Sequence, residues 1–131
     1  MLLYATLGTN DVASAKAFYT PTLATLGVIL RRDGTDEVSY GLPGSPDPGL
    51  YITKPYDQRP ATTGNGTMLA LIAGSKAEVD AFHATALGHG GTDEGKPGLR
   101  YSPTFYSCYV RDPDGNKLSA VFDHPANAIN A

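Results

Sequence analysis

The 131-residue chain has no tryptophan, a single cysteine and three histidines. With Cys108 alone, no internal disulfide can form. The formal net charge is only -3, and no run of Lys or Arg marks a phosphate-backbone footprint, so nucleic acid is not an expected partner. No apolar stretch approaches the roughly 20 residues a membrane helix requires. The opening Met1-Leu2-Leu3-Tyr4 reads as the start of a strand and lacks the features of a secretory leader, so a cytoplasmic location is expected and a membrane is not. A Gly-rich phosphate loop is also missing. Ala73-Gly74-Ser75-Lys76 resembles the end of one, but the earlier glycine is absent and a helix cap explains the stretch better.

What is present is globular: 41% hydrophobic and 18% charged residues, in a length suited to one domain. Tyrosine, with 8 copies against 4 Phe, supplies apolar bodies with polar tips, useful in a pocket for polar small molecules. The clearest local pattern lies near the end. Thr104-Phe105-Tyr106-Ser107-Cys108-Tyr109-Val110 is rich in strand formers, Arg111-Asp112-Pro113-Asp114-Gly115-Asn116 is a turn, and Lys117-Leu118-Ser119-Ala120-Val121-Phe122 returns, together a β-hairpin.

From the start, Leu3–Leu7 reads as a strand and Asn10 or Asp11 caps a helix whose apolar stripe holds Val12, Ala15, Phe18, Tyr19, Leu23 and Leu26. Pro21 predicts a kink or restart, and Gly27 the helix end. Strands follow at Val28–Arg32, Glu37–Leu42 and Leu50–Thr53, separated by an Asp33-Gly34 turn and a Pro43–Gly49 loop. A second loop covers Pro55–Gly66. The pattern then repeats: a strand at Thr67–Ile72, a Ser75/Glu78 capping box, a helix with Val79, Phe82, Ala86 and Leu87 on its apolar face, and stop signals at Gly88, Gly90 and Gly91. Thr92–Pro103 reads as a connection, with a short strand at its start as an option, and the hairpin closes the chain. Ala17-Phe18-Tyr19 echoes Ala81-Phe82-His83, and Leu26-Gly27 echoes Leu87-Gly88. Such a repeat suggests duplication of a unit that cannot bury its sheet alone. The expected fold is α+β: two tandem strand-helix-three-strand repeats whose mixed antiparallel sheets curl around a cleft. The chain divides as one domain, 1–131, with repeat 1 at about 1–55, a linker at about 56–66, repeat 2 at about 67–124 and a disordered tail at 125–131.

This layout resembles the vicinal oxygen chelate superfamily, the type I glyoxalases, bleomycin-resistance proteins and extradiol dioxygenases. The likeness is carried by Asp11, Ala17-Phe18-Tyr19, Leu26-Gly27, Phe82-His83 running to Gly90-Gly91, and above all Asp112-Pro113-Asp114-Gly115-Asn116. It points to the small bacterial glyoxalase-like members. The resemblance implies a cleft that, in the enzymes, holds a divalent metal on ligands from the first and last strands of each half, usually His or Gln and Glu. Hard or borderline cations need such oxygen and imidazole donors. The matching positions here are Tyr4, Leu50 or Tyr51, Thr67 and Ser119, none of them a histidine or carboxylate. The usual metal and any other cofactor are therefore expected to be absent.

Tyr4, Thr67 and Ser119 read either as strand residues facing a packed cleft or as hydroxyl anchors for a ligand, and Tyr51 as core or cleft. Arg100 is either a solvated loop arginine or a forked donor for a carboxylate or phosphate. Tyr106 and Tyr109, three apart on a strand, face opposite ways; Tyr106 is assigned to the cleft. Cys108, on the same face as Tyr106, reads as a buried inert thiol, and His83 as a residue packing or capping against the sheet. The candidate ligand-binding set is thus Tyr4, Tyr51, Thr67, Arg100, Tyr106 and Ser119. The leading expectation is a metal-free binder of a small organic molecule, forming a homodimer as the resemblance implies. Two alternatives stand beside it: a lyase, isomerase or dioxygenase using a divalent metal through an unusual set with Asp123, His124 or a second subunit, and a structural or regulatory dimer with a filled cleft.

Overall fold

The computed structural model describes residues 1–129. In the first half, β1 (Ala5–Gly8), β2 (Ile29–Asp33), β3 (Glu37–Gly41) and β4 (Leu50–Thr53) form a sheet in the order β1-β4-β3-β2, backed by α1 (Val12–Ala24). In the second, β5 (Met68–Ile72), β6 (Thr92–Leu99), β7 (Phe105–Arg111) and β8 (Lys117–Asp123) repeat that order as β5-β8-β7-β6, backed by α2 (Lys76–Gly88). The first strand of each half runs parallel to the last, and the remaining pairs are antiparallel. The tandem repeat is thus present as two open, mixed four-stranded sheets, neither closed into a barrel.

Alternation decides what each face does. In the first sheet Val38, Tyr40, Leu50 and Ile52 point to α1 and pack with Phe18, Tyr19 and Leu23. In the second, Cys108, Val110, Leu118 and Ala120 point to α2 and pack with Val79, Phe82 and Ala86. The two helices also pack on each other, so the cores are continuous. Asp11 caps α1 by accepting from the Ser14 N–H at 3.2 Å, and Ser75 caps α2 by accepting from that of Glu78 at 3.1 Å. Gly27, at φ 74°, ends the first helical segment, its neighbour Val28 donating back to the Leu23 carbonyl at 3.1 Å.

Several local expectations change. Helix α1 continues through Pro21 without a restart, because the proline sits close to the C-terminal end and little of the ladder beyond it is lost. β1 starts at Ala5, leaving Leu3 and Tyr4 ahead of the strand. The connection expected over 92–103 is largely a full strand, β6, with irregular register around Gly95 and Gly98. Gly95, Pro97 and Gly98 hide it in the sequence, yet an edge strand tolerates bulges and a missing donor. Residues 125–129 of the expected tail are placed: α3 (Ala126–Ile129) follows β8, and buried Asn127 donates its amide to the carbonyls of Thr104 and Phe122. The last two residues of that tail lie outside the described residues.

The β7–β8 turn joins the halves. The Asn116 amide donates to the Gly8 carbonyl at 2.9 Å, and the Thr9 hydroxyl and Asn10 N–H donate to the Asp114 carboxylate at 2.5 and 2.9 Å. Buried Asp112 accepts from the Tyr19 hydroxyl of α1 at 2.5 Å. Burial, followed by the Asp112 carboxylate, pushes that phenol well above its ordinary range.

Candidate functional site

Cross-strand partners project to the same side of a sheet, so the register maps the helix-free faces. In the first half, Thr6, Tyr51, Ser39 and Arg32 share that face. In the second half Ala70, Ser119 and Tyr109 do, together with Lys117 and Arg111. Tyr51 and Ser119 occupy equivalent places, each opposite the middle of the first strand of its half.

The sequence-derived candidates fall in different surroundings. Tyr4 is 52% exposed and rests edge-on against Tyr51, ring centres 5.1 Å apart. Thr67 is exposed and lies one residue before β5; by register its neighbour Met68 is the equivalent of Tyr4. Ser119 is fully buried, and its hydroxyl has no hydrogen-bond partner among the described residues; the same holds for Ser39 on the opposite half. Arg100 is not a free gate. Its guanidinium donates to the carbonyls of Ser107 and Lys96, both at 2.5 Å, and lies over the Tyr109 ring at 5.1 Å.

The assignment of Tyr106 to the open side is overturned. Its hydroxyl donates to Asp80 of α2 at 2.6 Å, and Lys76 of the same helix sits over its ring. Burial and then Asp80 push this phenol up to about 12. Alternation was right that the two tyrosines oppose each other; the burial of Cys108 against the Val79 carbonyl, at 3.7 Å, fixes which is which. That burial pushes the Cys108 thiol up to about 11, leaving it protonated at neutral pH and a poor nucleophile. His83 bonds Asp93 at 2.8 Å on the helix side.

Tyr109, which the sequence reading turned toward the helix, is instead the floor of a recess of about 540 Å³ on the open face of the second half. Thr67 and Met68 form one wall, Tyr101 and Phe105 another, and Lys117 and Arg111 a third. Tyr101 adopts a left-handed backbone, φ 66°, and packs edge-on against Phe105 at 5.5 Å. Its phenol is raised above its ordinary value first by a hydrogen bond with Tyr109. Such backbone conformations in bulky residues collect at binding sites. Lys117 lies over Tyr109 at 5.4 Å, while Arg111 is paired with Glu94 at 2.6 Å. The sequence reading missed Lys117, although it stands two residues before Ser119 and strand alternation places both on one face. A narrower apolar groove, about 190 Å³, runs between the start of β1 and β5 past Leu3, Tyr4, Leu50, Leu69 and Leu71.

None of these places suits the metal of the family enzymes. Among the described residues no group of three or more His, Cys, Asp or Glu side chains is close enough to hold an ion. His124 stacks on Phe122 and accepts the Ala126 N–H, and Asp123 accepts from the Thr104 hydroxyl, so neither is aimed at the strand positions that would need them.

The chain is a duplicated strand-helix-three-strand unit with two open, mixed four-stranded sheets, which defines an α+β class built from two matched halves. The chain belongs to the glyoxalase/bleomycin resistance protein/dioxygenase superfamily, whose family model matches residues 2–119. It is similar to a glyoxalase/bleomycin resistance protein from Albidiferax ferrireducens T118, with 40% identity over 88% of this chain and 93% of that one, TM-score 0.79. A glyoxalase-related enzyme from Fulvimarina pelagi has the same fold at 20% identity, covering 93% and 87% of the two chains with TM-score 0.73. A lactoylglutathione lyase from Agrobacterium tumefaciens does so at 22% identity, 92% of each chain and TM-score 0.62. No curated protein sequence matches.

Proposed function

We propose that this protein binds a small organic molecule on the open face of its second half, without the divalent metal of the family's enzymes. One observation carries the reading. The strand positions that the resemblance matches to the enzymes' metal ligands hold Tyr4, Tyr51, Met68 and Ser119, and one of them, Met68, lines a ligand-sized recess with aromatic walls on the second half. Tyrosine, serine and methionine give an ion too little charge and too few hard donors. They suit a neutral or organic ligand held by stacking and hydroxyl contacts. The buried, unpartnered Ser119 hydroxyl beneath this face is a polar group in want of a partner. The test is a melting-temperature screen of aromatic and aliphatic small molecules against protein dialysed with a chelator. At least one compound should raise the midpoint in a saturable way. A stoichiometric nickel, zinc or iron ion that survives dialysis contradicts the metal-free reading.

The same reading includes a homodimer. Ile72 is 89% exposed, and Leu2 and Leu3 are exposed as well. Exposed apolar side chains gathered on one surface mark interaction sites, and the occupant assigned here is a second copy. Light scattering should give twice the monomer mass, and Ile72→Asp should shift it toward the monomer. A wild-type monomer at about 100 μM, far above a typical dimer dissociation constant, contradicts the dimer.

A further inference from the structure

Resting on the binding reading above, we infer that the ligand is an organic anion with a flat unsaturated body, its carboxylate or sulfonate paired with Lys117 and its body against Tyr109, Tyr101 and Phe105. The recess is lined by two cations, Lys117 and Arg111, and by no carboxylate. This positive lining belongs to a chain of net charge -3, so it is a local feature and not a reflection of overall composition. The two cations differ in what they have left to give. Arg111 donates from Nε to Glu94 at 2.6 Å and from Nη1 to the Gly115 carbonyl at 2.9 Å. Lys117 has no ion-pair partner among the described residues and meets only the π-face of Tyr109, at 5.4 Å. Lys117 is half-buried as a residue, and an ammonium with only a ring beside it is a point charge available to an anion.

The ring is held in place. Arg100, itself anchored on backbone carbonyls, lies over Tyr109, and Gly95 lets the ring approach so closely that an added Cβ would sit 2.8 Å from it. Tyr109 is therefore a fixed plate, while Tyr101 and Phe105 form the edge-on wall. A fixed aromatic plate and wall favour a planar ligand, since such rings lose little conformational freedom on binding. A cationic ligand is disfavoured, because it would approach Lys117 and Arg111 with no carboxylate in the lining to receive it.

The experiment is an amide chemical-shift titration of the ¹⁵N-labelled protein with three matched probes: 2-naphthoate, 2-naphthalenemethanol and 2-naphthylmethylammonium. The naphthoate should bind about tenfold more tightly than the alcohol, the size expected for one charge-assisted contact, with shifts centred on Thr67, Met68, Tyr109 and Lys117. The ammonium should bind most weakly. Lys117→Met, which keeps the stem on Tyr109, should reduce naphthoate to the affinity of the alcohol. Raising the ionic strength from about 0.02 M to about 0.5 M should weaken naphthoate alone in the wild type, a readout that needs no variant. Equal binding of all three probes at the recess overturns the anion inference and leaves the binding reading intact. Absence of shifts at the recess with every probe overturns both.

Discussion

Replacing Asp112 with Ala is expected to destabilise the protein by about 3–5 kcal/mol, measured by urea unfolding and by a fall in melting temperature of more than about 10 °C. Asp112 is 4% exposed and its carboxylate accepts four hydrogen bonds. One comes from the Tyr19 hydroxyl, two from the N–H groups of Asp114 and Asn116, and one from the Asn116 side-chain amide. Alanine leaves these donors without their acceptor, and the tyrosine and asparagine are buried. Each unmet buried donor costs about 1–3 kcal/mol. The turn also bridges the halves through Asn116 and Asp114, so the loss propagates to the junction with Gly8 and Thr9. Tyr19→Phe removes one donor of the group and should cost only about 1–2 kcal/mol. The double variant should cost clearly less than the sum, with a coupling of at least about 1 kcal/mol, since both changes break the same bond. Strict additivity, or an Asp112→Ala variant within 1 kcal/mol of wild type, contradicts this account of the junction.

Gly91→Ala should be the next most damaging change, at about 2–3 kcal/mol, although it adds a single methyl. The added Cβ would lie 2.7 Å from the Phe18 ring of α1, 2.8 Å from the Ala86 carbonyl of α2 and 3.0 Å from the Arg111 carbonyl of β7. Two of the three obstacles are backbone, and the third is a fully buried ring, so no flexible end can swing away. The glycine lies against both helices and the second sheet at once, and its N–H donates to the Ala86 carbonyl at 2.9 Å. Gly88→Ala, where an added Cβ meets nothing within 4 Å, is the matched control and should be near neutral or stabilising in thermal melts. If the two variants melt together, steric contact at Gly91 is not what its glycine serves. In the sequence the two residues look alike, both being part of a helix-stop cluster.

That pair illustrates where the sequence was sufficient. The caps at Asp11 and Ser75, the stop at Gly27 and the β7–β8 hairpin all depend on neighbours a few positions away, so local chemistry specifies them. The tandem order was legible because a repeated unit writes the same periodicity twice. β6 was largely missed, as its glycines and proline describe the segment's own preference while the partner β7 supplies the pairing. The site was legible only in outline. The sequence leaves Leu50 and Tyr51 both open as the counterpart of Ser119; the register pairs Tyr51 with Thr6 as it pairs Ser119 with Ala70, and it makes Met68, one residue after Thr67, the counterpart of Tyr4.

By itself, the sequence determined the duplicated α+β fold and its family. Only the tertiary structure decided which of Tyr106 and Tyr109 faces the open side, that Arg100 is bound up in carbonyls, and that Lys117 stands over an aromatic floor. The reason is that alternation along a strand gives two faces without saying which is covered. That choice is made by a helix packed from elsewhere in the chain, and here α2 takes Cys108 and Tyr106 and leaves Tyr109, Ser119 and Lys117 on the other side.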